Sequence, residues 1–486
     1  MERLKRNEGN SVIYRRNVGW GLPHHCDQWQ NHGGATHSAP LRAGPTLRKL
    51  YKTVLLFSLI VGQACLGSDW PQWRGPNRTD VTSEKSGWPK GWPPKRLWKK
   101  NVGYGCTSPI FANGRLYVMG WKGKKSSRNS VGTDTVYCFE ALNDKLLWKQ
   151  SYRCRYQGRF RTGDTSLYGG PTSTPTLDAA SGYLYTLSID GDLKCWNTKH
   201  VPSEVEGKAG RPIWSVNLYE KYKVRQRPKV EAGVRDYGYS CSPVVLGNAV
   251  ITEVGGNAGL LVAFDKKTGR QLWRSASKEP SGHNAGPVPM NVNGVRCLAG
   301  FGIRKLTIVG IEGQRRGKTL AQHPWRTAYS CNIITPAVTG NKVVLSSGHD
   351  VRRTALLQVS GEKVRQLWSN RYWSEGCSPV IHKGCIYLVI SQVHCLDLSN
   401  GKLKWRGGNF GRDSSCLVTG DDKLLVSGSR DLGLVETSPK NNKYRELARV
   451  RDVIGGTCYP HLALADGIVA VKNKEGDMVC LSVRPR

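Results

Sequence analysis

The sequence lacks the short motifs that mark the common catalytic and cofactor sites. It contains no G-x-S-x-G, H-E-x-x-H or G-x-x-x-x-G-K-[ST] segment, so it carries no local signature of a hydrolase, a metalloprotease or a P-loop nucleotide site. None of its 15 cysteines has the C-x-x-C spacing of a zinc or redox site, and no C-x-x-C-H haem motif occurs. The sequence therefore assigns no catalytic residue and no metal ligand.

Acidic residues are scarce as well. The 486 residues include 72 Lys and Arg against 36 Asp and Glu, a net charge of +36. Such an excess raises affinity for polyanions. For an exported protein the candidates are acidic or sulfated polysaccharide, anionic lipid head groups and wall polymers, whereas specific nucleic-acid binding is not expected. The alternative is a surface that only keeps a basic protein soluble.

Long apolar runs are also missing, apart from residues 54–61 near the N-terminus. This run follows Arg48, Lys49 and Lys52 and precedes small residues, which is the layout of a secretory signal peptide, and it is too short to span a bilayer. We expect a signal peptide at 47–67 and no transmembrane span in the mature chain. A lipid anchor at Cys65 is not expected, because Gly62 stands where a lipid-modification signal prefers Leu. Residues 1–46 show no periodic pattern, and we interpret them as an unstructured leader from a start codon placed too early.

What the chain does contain is a tandem repeat that ends in tryptophan. In residues 264–273 an apolar-acidic pair is followed by a Thr-Gly turn, a basic residue and a strand ending in Trp273; the pattern returns at 396–405 and more loosely at 139–148. Gly269 and Gly401 supply the positive φ that a tight hairpin needs. Upstream lies a second recurring element, a Ser/Thr-Pro followed by two apolar strands joined by a Gly turn. A full unit thus reads as four short strands, the composition of a propeller blade.

The closing residues of the units predict eight blades. Leu447 is a degenerate seventh member after six clear tryptophans: Trp148, Trp214, Trp273, Trp325, Trp368 and Trp405. The last unit runs out of chain before its outer strand, and residues 95–98, ending in Trp98, are an unpaired closing strand placed before the first Ser-Pro. The sequence therefore predicts an all-β fold, an eight-bladed β-propeller at 95–486 closed by an N-terminal strand, with an N-terminal extension at 68–94.

The hairpin and its Ser-Pro openings resemble the pyrroloquinoline quinone (PQQ) repeat. That repeat builds eight-bladed propellers in quinoprotein alcohol dehydrogenases and in a non-enzymatic outer-membrane assembly lipoprotein of bacteria. The similarity covers residues 95–486, and residues 69–76 resemble the mature start of bacterial proteins with PQQ-like domains. The resemblance implies the fold; function must be argued from the site.

For the dehydrogenases, the resemblance implies a defined cofactor site. In it, PQQ lies flat between a tryptophan and a disulfide of two adjacent cysteines, Ca²⁺ is bound by carboxylate and amide ligands, and an aspartate acts as the base. No two cysteines are adjacent in this chain, so the usual ring clamp is missing. Tryptophans outside the closing set are Trp121, Trp196 and Trp373, and acidic residues near blade starts are Asp164, Asp236, Glu375 and Asp413. Their spacing selects none of them as a cofactor or metal ligand.

The cysteines occupy recurring positions of the repeat. One group shares the position of Ala263, just before the apolar-acidic pair: Cys138, Cys195, Cys395 and Cys480. A second group lies two residues before the proline: Cys241, Cys377 and Cys458, with Cys106, Cys331 and Cys416 nearby but out of register. Such thiols are expected to pack between blades as small apolar residues. The alternative is a ring of thiols at the channel mouth that holds a soft metal.

Two long connections between blades form the candidate binding surface, because long loops on a rigid scaffold commonly carry function. The candidates are Arg153, Arg155, Tyr156, Arg159 and Arg161 in the first, and Lys221, Lys223, Arg225 and Arg227 in the second. Arginines beside aromatic rings stack on sugars and pair with sulfate, carboxylate or phosphate. Five tyrosines just before strands form an aromatic collar at the channel mouth or pack against neighbouring loops: Tyr104, Tyr168, Tyr239, Tyr329 and Tyr459.

Together these features favour an exported, periplasmic or envelope-associated propeller, monomeric, acting as a binding or scaffold module without its own catalytic centre. The expected partner is an acidic polysaccharide or an envelope protein. No cofactor is expected under this interpretation. The alternative is a PQQ- and Ca²⁺-dependent alcohol or sugar dehydrogenase.

Overall fold

The computed structural model describes residues 69–124, 131–154, 170–199, 211–224, 229–230, 233–234, 238–327, 330–437 and 442–485. All of them belong to one compact unit, Cys65–Arg486. The predicted leader at 1–46 and signal peptide at 47–67 lie outside the described residues.

Eight antiparallel sheets follow one another along the chain, which confirms the predicted eight-bladed β-propeller. From inner to outer strand, blade 1 comprises Ile110–Ala112, Arg115–Lys124, Val131–Glu140 and Leu146–Arg153. Blade 2 comprises Thr176–Asp178, Tyr183–Leu187, Asp192–Asn197 and Trp214–Asn217. Blade 3 comprises Val244–Leu246, Ala249–Glu253, Leu261–Asp265 and Gln271–Arg274, and blade 4 Val288–Val292, Val295–Phe301, Lys305–Gly310 and Thr319–Pro324.

The second half of the ring repeats this plan. Blade 5 comprises Ala337–Thr339, Lys342–Ser347, Arg353–Ser360 and Lys363–Asn370. Blade 6 comprises Val380–His382, Cys385–Asp397 and Leu403–Gly411, where the 13-residue middle strand serves as both second and third strand. Blade 7 comprises Ser415–Val418, Lys423–Gly428, Asp431–Glu436 and Glu446–Val450. The other elements are helix α1 (Leu218–Tyr222), the hairpin Lys229–Val230 with Gly233–Val234, and 3₁₀ turns at Gly256–Ala258 and Gly313–Arg315.

Blade 8 joins the two ends of the chain. Its inner three strands are Ala463–Ala465, Ile468–Lys472 and Asp477–Ser482, and its outer strand is Lys95–Asn101, with Trp98 opposite Cys480. The predicted closure by an N-terminal strand is confirmed. This pairing removes the free strand edges that an open array would leave.

The closing tryptophans join each blade to the next. The indole Nε1 of Trp214 in blade 2 donates to the carbonyl of Lys266 in blade 3 at 3.1 Å, and Trp368 in blade 5 donates to Leu398 in blade 6 at 3.0 Å. The turn glycine of the receiving blade lies against the same ring. A Cβ on Gly401, where φ is +71°, would lie 2.6 Å from the Trp368 ring. At these two junctions tryptophan and glycine are needed together, because Trp214 lies against Gly269 and Trp368 against Gly401 in the turn of the following blade.

The structure places two closing positions differently from the sequence prediction. In six blades the closing tryptophan pairs across the strand with the Ala263 position or its equivalent, as Trp273 pairs with Ala263. In blade 4 the closing position on the outer strand is occupied by Ala321, which lies opposite Ile308, and Trp325 lies just beyond the strand. In blade 7 the closing position is occupied by Ala448, while Leu447 lies in the β-bulge. The same bulge occurs at this step in blades 1, 3, 5 and 6, so the two differences arise because alanine occupies the closing position in blades 4 and 7.

The shared cysteine position is confirmed. Cys138, Cys195, Cys395 and Cys480 each lie opposite a closing tryptophan, and all four are fully buried. The core of the molecule consists of apolar layers between neighbouring blades, such as the layer shared by blades 2 and 3 that contains Tyr185, Trp214 and Phe264. Thiols of small volume fit these layers.

Candidate ligand-binding funnel

Residues 69–84, the N-terminal plug, fill the axis of the propeller. The plug enters beside blade 1, where Trp70 and Phe111 exchange backbone hydrogen bonds of 2.9 Å. It leaves beside blade 7, where the N–H of Thr82 donates to Val418 and the N–H of Gly420 donates to Glu84. Phe111 and Val418 belong to inner strands, and Gly420 to the turn that follows one. The plug therefore enters and leaves on the same face, and its tip closes the channel.

Two buried arginines fasten the tip to the start of the inner strands. Arg74 donates from Nη1 to the carbonyl of Pro336 at 3.1 Å and from Nη2 to that of Pro379. Arg78 donates to the carbonyls of Pro243 at 3.2 Å, Ser242 at 3.2 Å and Ala285 at 3.3 Å. Arg74 and Arg78 are each 1% exposed. The proline carbonyls of the repeated Ser/Thr-Pro motif are thus the acceptors that hold the plug.

The Ser/Thr of the same motif links neighbouring blades. The N–H of Ser108 donates to Oγ1 of Thr174 at 3.0 Å, and the N–H of Thr174 donates to Oγ of Ser242 at 2.9 Å. The N–H of His461 donates to Oγ of Ser108 at 2.8 Å, which continues the series from blade 8 to blade 1. These hydroxyls satisfy backbone groups around the axis that no strand pairs. Both residues of the Ser/Thr-Pro motif therefore have a structural role: the proline carbonyls hold the plug, and the hydroxyls link neighbouring blades.

One carboxylate, Asp80, lies in the plug beside these cations. It forms a buried ion pair with Arg74, and its Oδ2 lies 3.6 Å from Nδ1 of His461. Burial alone would raise the pKa of Asp80, but Arg74 and His461 hold it below its ordinary value. Arg78 forms no ion pair with a carboxylate among the described residues, and burial lowers its pKa to about 10. The plug therefore carries one buried positive charge that no partner balances.

Above the plug, a funnel opens on the face formed by the connections from outer to inner strands. It encloses about 150 Å³, and Trp73, which is 6% exposed, lies on its floor with its ring centroid 4.3 Å from that of His461. The rest of the wall comes from residues just before or at the start of inner strands, together with His349: Cys106, Thr172, Ser240, His283, Ala285, Cys331, Ile333, Glu375, Gly376, Ser378 and Tyr459.

The funnel wall combines aromatic, hydroxyl and apolar groups with one carboxylate. Glu375 on the rim is bound by Arg412, whose Nε donates at 2.8 Å. Behind the wall, Lys472 is fully buried and donates to the carbonyls of Gly105 and Asn473, and burial lowers its pKa to about 8. Two buried cations, Arg78 and Lys472, thus lie below and behind the wall, together with the buried carboxylate of Glu253, which accepts from the N–H of Gly282 at 3.0 Å.

The described basic candidates lie on this same face. Arg153 ends the outer strand of blade 1, and Lys221 and Lys223 lie in and just after helix α1, which follows the outer strand of blade 2; all three are exposed. Arg155, Tyr156, Arg159, Arg161, Arg225 and Arg227 lie outside the described residues. Exposed basic residues also lie at or after the outer strands of other blades: Lys278, Arg326, Arg371, Arg412 and Arg451. Seven of the eight connections thus carry an exposed Lys or Arg, and the eighth, residues 102–109, has none.

The remaining residues that the sequence singled out differ in how deeply they are buried. Tyr459 lines the funnel, Tyr104 is 39% exposed, and Tyr239 is fully buried with its ring stacked on Tyr219. Trp121 and Trp196 are buried, while Trp373 is half-buried with Arg352 5.5 Å from its ring. Asp413 has a pKa raised by burial. Tyr168, Tyr329, Asp164 and Asp236 fall in stretches that the structure does not describe.

The thiols are distributed around the axis. Cys106 and Cys331 line the funnel from the connections that lead into blades 1 and 5, and the Sγ atoms of Cys377 and Cys416 lie 3.6 Å apart between blades 6 and 7. In the described part of the chain, no three His, Cys, Asp or Glu side chains are grouped to hold a metal ion.

The funnel residues do not fit PQQ with Ca²⁺ as the resemblance implies them. Trp73 already packs against His461, the two lining thiols come from separate blades, and Glu375, the one lining carboxylate described, is paired with Arg412. The volume of about 150 Å³ is below the roughly 300 Å³ at which small-molecule pockets commonly begin.

The most important residues of the site were not singled out by sequence reasoning. Trp73, Arg74, Arg78 and Asp80 lie in the predicted extension at 68–94, outside the repeats, and their partners are distant, with Arg78 bound to Pro243 across 165 positions. A signal was present in the cluster of Trp, Arg and Gly at 69–78, which no surface extension requires.

Comparisons with known proteins agree on the fold. A family model described as outer membrane protein assembly factor BamB matches residues 132–407, more than half of the chain. The solved structure of BamB from Moraxella catarrhalis is 10% identical, covers 80% of this chain and 99% of its own, and superposes with a TM-score of 0.51. Quinohemoprotein alcohol dehydrogenase from Comamonas testosteroni is also 10% identical, with coverages of 86% and 81% and a TM-score of 0.57. No curated protein matched the sequence. No helix among the described residues is long and apolar enough to cross a membrane.

Proposed function

The chain belongs to the PQQ-repeat family whose model is described as outer membrane protein assembly factor BamB, and on that premise we propose that it is an exported binding or scaffold propeller of the cell envelope. In this proposal it holds an acidic polysaccharide against the face around the funnel, which we call the loop face, and it has no catalytic centre of its own.

The observation that carries the proposal is the distribution of charge on the loop face. Exposed Lys or Arg side chains occur in seven of its eight connections, from Arg153 after blade 1 to Arg451 after blade 7. Charges spaced around a ring act together on a polymer that crosses several blades, whereas each alone contributes little in water. Residues 68–486 contain 63 Lys and Arg and 33 Asp and Glu, and this net charge of +30 strengthens the attraction at low ionic strength.

The scaffold itself supports such a role. Several junctions between blades are fixed by indole hydrogen bonds or by the hydroxyl bridges at the axis, and the plug is bonded to inner strands around the ring. A rigid ring presents its loops without a large ordering cost on binding. The same rigidity suits a module that organises other molecules rather than one that closes over a substrate.

The test compares two triple variants on a heparin or acidic-polysaccharide resin. We expect Arg153→Ala, Lys221→Ala and Lys223→Ala together to elute at clearly lower salt than the wild type. The matched control is Lys267→Ala, Arg270→Ala and Lys402→Ala, which removes the same charge from exposed turns on the opposite face. If retention depended on net charge alone, both variants would shift equally, and the proposal would be wrong.

A second arm addresses the enzymatic alternative. Purified protein is supplied with PQQ and Ca²⁺ and assayed for dye-linked alcohol oxidation and for quinone absorbance. The proposal predicts neither signal above the level of a heat-denatured sample. Saturable activity with either an alcohol or a sugar would replace the scaffold function with a dehydrogenase.

A further inference from the structure

We propose that the funnel binds the terminal residue of an acidic polysaccharide chain, with the acidic group of that residue against the wall formed by Ser240 and Ala285. This inference rests on the proposed function and specifies which part of the polymer is recognised. It follows from the shape, charge and lining of the funnel.

The shape admits only a chain end. The plug occupies the axis, and Trp73 forms the floor with its ring packed on His461. A polymer therefore cannot pass through the channel. The funnel is a closed-ended recess of about 150 Å³, which only the end of a chain can enter.

The charge favours an anionic group at one wall. Arg78 lies behind this wall, because it donates to the carbonyl of Ala285 and to that of Ser242, two residues after Ser240. Its hydrogen bonds go to neutral acceptors, no carboxylate among the described residues forms an ion pair with it, and the field of a buried charge is weakly screened. On the opposite rim, Glu375 is neutralised by Arg412.

The lining matches a sugar better than a peptide terminus. Tyr459 offers a ring face for C–H groups, and Thr172, Ser240 and Ser378 place hydroxyls in the wall. The hydroxyls of Thr172 and Ser240 donate to the carbonyls of Tyr239 and Asn284 and can each accept a further hydrogen bond. A sugar ring carries apolar faces and peripheral hydroxyls in just this combination. A peptide carboxylate would use the charge but carries no ring of hydroxyls to donate to these oxygens.

The experiment measures binding of a short oligosaccharide with a terminal uronic acid to the full chain by titration calorimetry. Two variants fill the funnel, Ala285→Phe and Ile333→Trp, and Leu142→Trp adds the same bulk at a side that is 48% exposed and far from it. We expect each filling variant to weaken binding about tenfold or more, while the control stays within about twofold. Methyl-esterifying the terminal acid is expected to weaken binding similarly, because it removes the charge. Thermal melts confirm that each variant is folded.

The outcomes separate this inference from the proposed function. If the wild type is retained on the polysaccharide resin but filling or esterification leaves oligosaccharide binding unchanged, the inference is wrong and the proposed function stands. Equal competition by a short peptide with a free carboxyl terminus would also overturn it. Oligosaccharide binding without resin retention would support the funnel site and refute the role of the loop face.

Discussion

At the scale of single residues, the plug carries the strongest interactions of the molecule. Arg74, Arg78 and Asp80 are almost completely buried, yet they come from a segment outside the repeats. A buried charge is tolerated only when it is paired or well supplied with hydrogen bonds. The carbonyl acceptors of Pro243, Pro336 and Pro379 meet that need, so these residues depend on a closed ring and the ring depends on them.

We predict that Asp80→Asn lowers the free energy of unfolding by about 3–5 kcal/mol at pH 7, because it leaves Arg74 buried without its carboxylate. The matched control is Asp452→Asn, which breaks the exposed Arg430–Asp452 pair and should cost less than about 1 kcal/mol. Denaturant unfolding followed by tryptophan fluorescence gives both values. Equal effects of the two substitutions would contradict the importance of the plug.

The pH dependence of stability follows from the same carboxylate. The folded-state pKa of Asp80 is held below its ordinary value, so its contribution is present above about pH 4 and is lost as the pH falls through the folded pKa. We expect the stability difference between wild type and Asp80→Asn to shrink between pH 4 and pH 2. A difference that stays constant over this range would refute the ion pair as its cause.

Buried thiols give a second residue-scale prediction. Burial raises the pKa of Cys138, Cys195, Cys241 and Cys458 to about 12. An unfolded thiol titrates near 8.5, so these groups favour the folded state fully below that pH and lose this contribution as the pH rises toward 12. We expect these four thiols to react with a thiol reagent at pH 8 only after denaturation, as peptide mapping would show. Labelling of the native protein at these positions would favour the alternative of a reactive thiol ring.

At the scale of elements, the hairpin repeat was readable from the sequence because its determinants are local. The turn glycine, the alternating strand and the closing tryptophan lie within ten residues of one another in 264–273. The closing positions of blades 4 and 7 were not readable, because alanine occupies them, at Ala321 and Ala448, while Trp325 and Leu447 lie nearby. The plug was not readable either, because its partners lie in distant blades.

Ring closure is tested by Trp98. We expect Trp98→Ala to lower the free energy of unfolding by about 3–5 kcal/mol, because the ring is 8% exposed and its Nε1 donates to the carbonyl of Ala141 in blade 1 at 2.8 Å. Trp148→Ala, within a continuous blade, should cost a similar amount. Leu142→Ala, at a side chain that is 48% exposed, should cost less than about 0.5 kcal/mol. A value for Trp98→Ala near that of the control would show that the N-terminal strand does not close the ring.

At the scale of the whole molecule, the protein combines a rigid ring, a channel closed from one face and a basic face with a funnel. The fold was predictable from the repeat, and so was the location of the basic residues Arg153, Lys221 and Lys223 between blades. The funnel was not, since its wall is assembled from residues in most of the blades and its floor from the plug. Function at this scale is therefore a property of the closed ring rather than of any single repeat.

The most direct test of the central claim is hydrogen exchange of the full chain with and without an acidic polysaccharide. We predict slower exchange in the connections from outer to inner strands, including residues 172–175, 240–243 and 331–336, and no change at the opposite turns around residues 266–270 and 398–402. Protection confined to those opposite turns, or none at a saturating concentration of polymer, would contradict the claim that this propeller binds acidic polymers through its loop face.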